Sequence, residues 1–170
     1  AVESEISEKQ AKALAKAASW QLGQKFYRAA NYAQAYYIFK QLHENLTAHI
    51  PGDEFLKDYF GLKMAVCLQK MDNQTDVNRY FGNALESESP VVRCLANYHL
   101  MFAESRNKQY LAARMRAYNV LALLSVFDED FAMNLEADCY FLLAEALSRQ
   151  VLLLSSPSDY MEGKHWSESL

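Results

Sequence analysis

Glycine and proline are scarce in this chain of 170 residues, with 5 Gly and 3 Pro. A fold of many short strands needs many turns, and turns draw on residues that take positive φ or pre-set it. A sandwich or barrel is therefore excluded, and the class is all-α. Cysteine is scarcer still: Cys67, Cys94 and Cys139 are an odd number, far apart and set among apolar neighbours. They are expected to be small buried core residues rather than disulfide partners. No run reaches the roughly 20 apolar residues that span a bilayer, since the greasiest stretch, Val151 to Leu154, is stopped by Ser155-Ser-Pro-Ser158. Positive charge is not in excess either. Seventeen Lys+Arg against 21 Asp+Glu give a formal charge of -4, which argues against general electrostatic capture of nucleic acid or anionic lipid.

Motifs that carry chemistry are missing too. A di-iron bundle needs Glu-x-x-His pairs on facing helices, and a zinc site needs clustered Cys and His or a His-Glu-x-x-His run. His43-Glu44 has no second His at the required place, and the cysteines are dispersed. Phosphate-cradling glycine loops and the nucleophile elbow are absent. Neither a metal nor another cofactor is expected, and the chain does not read as an enzyme. The acids Asp128-Glu-Asp130 stand beside a break and are expected to cap or solvate a helix start. Lys9, Lys12 and Lys16 read as a solvated face.

What the chain does have is apolar residues, 51% against 22% charged, enough for a buried core. They recur at helical spacing. Ile6, Leu14, Ala17, Ala18, Leu22 and Phe26 run to Arg28; after Ala29-Ala-Asn-Tyr32 the pattern resumes with Ala35, Tyr36, Phe39, Leu42 and Leu46. Runs from Phe55 to Met71 and Val77 to Leu85 make a second hairpin, Val91 to Ser105 and Tyr110 to Val126 a third, and Phe131 to Leu154 opens a fourth. Ser156 and Pro157 stand as N-cap and first residue of a last short helix. The units expected are a helical extension at 1–15, hairpins at about 16–50, 55–90, 91–127 and 131–154, and a C-terminal helix or further repeat at 155–170.

The segment from Ser19 to His43 resembles a tetratricopeptide repeat (TPR). Leu22-Gly23 and Phe26 match its first helix, and Tyr32, Ala35, Phe39 and Leu42 its second. Met64-Ala65, Leu68, Phe81, Ala84 and Pro90 repeat the pattern more weakly; Tyr110 and Ala113, then Tyr140, Leu143, Ala144 and Leu147, are fainter echoes. Equivalent positions at Phe39, Phe81 and Ala117 are unevenly spaced and wider than the family's usual roughly 34 residues. The resemblance implies a right-handed α-solenoid of three to four antiparallel hairpins, in which each apolar stripe is buried only when neighbours stack. Gly23, Ala35 and Ala65 then fall where helices approach most closely.

In this family the first helices line a concave groove. Its expected lining here is Trp20, Gln24 and Tyr27, then Tyr59, Leu62 and Val66, then Tyr98 and Phe102, an aromatic surface with few charges. The Lys and Asn clamp by which some TPR domains hold a chaperone's terminal carboxylate is absent from these positions. The expected function is a non-catalytic scaffold binding a peptide or partner helix in that groove. The alternative is a structural or oligomerisation domain of a larger bacterial cell-envelope or secretion protein, in which the same surface packs against neighbouring subunits, a homo-oligomer among them, or against missing repeats. The start at Ala1 suits a processed or truncated envelope or periplasmic protein, and the unpaired cysteines suit the cytoplasm; the envelope is slightly favoured.

Overall fold

The computed structural model describes residues 2–46 and 53–154, with side chains described for 15–46 and 53–152. Among the described residues every regular element is helical: α1 (Val2–Arg28), α2 (Tyr32–Glu44), α3 (Asp53–Lys70), α4 (Val77–Leu85), α5 (Pro90–Arg106), α6 (Tyr110–Leu123) and α7 (Glu129–Leu154), with a 3-10 turn at Leu124–Val126. The helices follow the apolar runs of the sequence. The expected C-terminal helix at 155–170 lies outside the described residues. None of the described helices is long and apolar enough to cross a membrane.

A chain poor in glycine has to end its helices with other residues. The ends of α1, α3 and α5 use one device: Ala30, Asp72 and Lys108 take left-handed φ of 58°, 53° and 61°. Each sits in a Schellman turn, with Asn31 N–H donating to Phe26 C=O, Asn73 N–H to Leu68 C=O and Gln109 N–H to Glu104 C=O, all at 2.9 Å. Each non-glycine residue there costs roughly 1–2 kcal/mol against right-handed backbone. The starts of α2 and α7 are capped by side chains. Asn31 Oδ1 accepts from Gln34 N–H at 3.4 Å, and Asp128 Oδ1 accepts from Phe131 N–H at 2.9 Å, the capping role expected of that acidic cluster.

The chain divides into two compact units, residues 1–93 and 94–170, with the boundary inside α5. In unit 1, α1 packs on α2, α2 on α3 and α3 on α4. Its core gathers Ala35, Phe39, Leu42, Leu46, Phe60, Met64 and Cys67, flanked by Trp20, Tyr27 and Tyr59. Gly23 lets α1 approach: a Cβ there would stand 2.8 Å from Cε1 of Phe39, a ring with no exposed surface. The seated face of α1 is therefore Trp20, Gly23 and Tyr27, whereas Ala17, Ala18 and Leu22 of the apolar stripe face water. The reason is steric, because the glycine sets the contact line and the bulky rings settle beside it. In unit 2, α6 packs on α7, and Cys94, Met101, Ala113, Ala117, Val120, Leu135, Cys139, Leu142 and Leu143 form the core. All three cysteines are free and buried.

Candidate functional site

In unit 1 the structure brings Trp20, Tyr27 and Tyr59 together. Trp20 lies on α1 between the rings of Phe39 (5.5 Å), Tyr59 (5.4 Å) and Phe60 (5.7 Å). Phe55, one turn before Tyr59 on α3, stacks on it at 5.9 Å with planes 9° apart. Tyr27, two turns along α1 from Trp20, meets Tyr32 edge-on. Gln24 lies between Trp20 and Tyr27 and, like both, is half-buried. These rings serve two purposes: one edge completes the core, and the other remains open to solvent.

At the centre of the cluster is a cation. Lys63 Nζ lies 5.2 Å from the ring centre of Tyr27, 5.7 Å from Tyr59 and 5.8 Å from Trp20, within range of cation–π attraction. Among the described residues Lys63 has neither a hydrogen bond nor an ion pair. Burial holds its ammonium below the usual lysine range; nearby Arg28 lowers it further and Cys67 works the other way. Cys67, the next turn along α3, is itself pushed up to about 12 by burial, with Lys63 opposing. Burial likewise raises Tyr27 and Tyr59.

Leu62 and Val66 are each 1% exposed and present no side-chain surface. A helix interior alternates faces every three or four residues, and α3 is so apolar from Phe60 to Leu68 that its faces could not be told apart by pattern. Tyr98 and Phe102 belong to unit 2. Both pack against its core, their rings edge-to-face at 5.1 Å, and the Tyr98 hydroxyl donates to Asp138 Oδ2 at 2.6 Å, tying α5 to α7.

Two further surfaces escaped the sequence reading. On α7, Met133, Ala137, Tyr140, Ala144, Leu147 and Val151 alternate at steps of four and three and all face water. Phe141, beside them, is 70% exposed. This helix is apolar on both sides, and no periodicity marks which side is covered. In unit 1, a cleft of about 260 Å³ is lined by His43, Lys57, Asp58, Gly61, Arg79, Tyr80 and Asn83. Burial and the cations Lys57 and Arg79 lower the His43 pKa, while Glu44 and Asp58 oppose. Among the described residues no group of three or more His, Cys, Asp or Glu is placed to share a metal ion.

Compared with protein-family models, with curated proteins and with solved structures, the chain matches none.

Proposed function

We propose that this chain is a non-catalytic protein-interaction module, built as a TPR-like α-solenoid of three to four hairpins, that receives a peptide or partner helix on the aromatic surface of its first helices. One observation carries the reading: the half-buried rings of Trp20, Tyr27 and Tyr59 gather on α1 and α3 around the Lys63 ammonium, with the exposed ring of Phe55 stacked on Tyr59. Aromatic rings already held by core contacts lose little freedom when a partner covers them. The Schellman turn shared by α1, α3 and α5, a common helix ending, is compatible with a repeated hairpin.

Affinity capture from the source lysate, wild type beside Tyr27→Ala/Phe55→Ala, tests the reading. Neither ring is fully buried, so the double variant is expected to keep its helicity and lose the partner. A partner retained by the variant, or no partner in either lane, counts against the groove.

The outward stripe of α7 favours a second reading, a structural or self-associating domain. An apolar row at alternating steps of three and four is the pattern by which helices pair, and large exposed apolar patches mark contact surfaces. Sedimentation velocity across a concentration series separates the two. Under this reading the wild type associates and Tyr140→Asp/Leu147→Asp stays monomeric; a wild type monomeric throughout speaks against it.

A further inference from the structure

We infer that Lys63 and the rings around it form an acid-reading subsite, which takes a partner segment carrying a carboxylate side chain next to an aromatic or branched aliphatic one. The inference rests on the groove reading above and names the chemistry of its partner.

The Lys63 ammonium is surrounded by Trp20, Tyr27 and Tyr59. Three ring faces stabilise its charge, but a ring face is a poor acceptor for an N–H bond, and no oxygen among the described residues takes one. The charged or titratable groups acting on it are the Cys67 thiol and the Arg28 guanidinium. The thiol, pushed up to about 12, is neutral at ordinary pH. Arg28 is a second exposed cation at the end of α1, likewise without an ion pair among the described residues. Among the described residues the local balance is therefore two positive charges with no carboxylate acting on Lys63, in a chain whose formal charge is -4. Long-range steering opposes an acidic partner, so the attraction has to be local.

A half-buried cation in aromatic surroundings pairs best with a carboxylate, which accepts charge-assisted hydrogen bonds. A partner's lysine or methylated amine is excluded, because Lys63 already occupies the ring faces and would repel it. The second half of the specificity comes from Phe55, stacked on Tyr59 and 39% exposed. An apolar side chain adjacent to the acid would lie on this ring while its carboxylate reaches Lys63.

A displayed library of random peptides, selected on the wild-type chain, is the test. The enriched peptides are expected to share Asp or Glu beside an aromatic or branched residue. A synthetic copy should weaken about 10-fold or more when its acid becomes the amide or when the chain carries Lys63→Met, with Lys63→Arg recovering part of the loss. If Lys63→Met fails to fold by circular dichroism, the acid-to-amide peptide on wild type decides alone. Enriched peptides without an acid, bound equally by wild type and Lys63→Met and lost with Phe55→Ala, overturn the inference and leave the groove reading standing. A selection that enriches nothing overturns both.

Discussion

The two units close their cores with different materials. Unit 1 uses large rings: Phe39, Phe60 and Tyr59 gather around Trp20, Gly23 leaves room for Phe39, and the rings that do not fit inside lean out around Lys63. Unit 2 uses small and sulfur-bearing side chains. Ala113, Ala117 and Cys139 let α5, α6 and α7 lie close, with Cys139 Sγ 3.9 Å from Met101 Sδ and Cys94 Sγ 3.8 Å from Val120 C=O. A core of small residues brings helices together but buries little area per residue, so most of the large exposed apolar side chains, Tyr140, Phe141 and Leu152 among them, are in unit 2. Aromatic bulk leaves a mixed aromatic and cationic surface, whereas tight small-residue packing leaves an apolar one.

Alkali is expected to break both units. Burial pushes Cys67 and Cys139 to about 12 and Cys94 to about 11, against 9.0 in an exposed thiol. The folded chain therefore holds protons that the unfolded chain has released. Stability is full below about pH 9 and is lost as pH rises through that window. Burial of Tyr27, Tyr36 and Tyr59 adds the same sign above pH 10 in unit 1. Circular dichroism against pH checks this, and Cys94→Ala/Cys139→Ala should blunt the loss. An unchanged profile in that variant would place the alkaline sensitivity in unit 1.

Gly23→Ala sharpens the contrast at the ring-filled core. Its Cβ would meet a fully buried ring at 2.8 Å, so a loss of about 1–3 kcal/mol is expected in urea unfolding. Gly82→Ala in α4 is the control: its Cβ meets nothing within 4 Å, and a gain of about 0.5–1 kcal/mol is expected from helix propensity.

The smallest effects belong to a feature the units share. Ala30→Gly and Lys108→Gly relieve left-handed strain, each with an expected gain of up to about 1 kcal/mol in thermal unfolding. Equal gains would mean that the two Schellman turns are energetically equivalent; a gain at one alone would show that its neighbour's backbone strain is offset elsewhere.

The helices were legible because spacing of three and four residues, broken by short polar segments such as Asp72-Asn-Gln-Thr75, is a local property. The TPR resemblance puts Gly23 at a close approach of helices, and a Cβ there would stand 2.8 Å from Phe39; the ring it meets is read only from the structure. The facing of side chains was not legible. Leu22 belongs by spacing to the apolar stripe of α1 and faces water, while Leu62 and Val66, expected in the groove, are buried. In helices apolar on more than one side, composition does not say which side meets a neighbour. Lys63 was missed for a related reason: one lysine inside Phe60-Gly-Leu-Lys63-Met-Ala-Val reads as an interruption, and its ring partners Trp20 and Tyr27 are on another helix.

By itself the sequence determined an all-helical chain, the limits of the helices among the described residues to within a few positions, and the free buried cysteines. These follow from backbone propensity, periodicity and side-chain volume, which act over a few residues. Only the tertiary structure decided which rings surround Lys63, which apolar rows are covered and which, as on α7, are left outside. Those outcomes depend on how helices distant in sequence rotate to meet, and that rotation is set by the fit of whole surfaces rather than by any one segment.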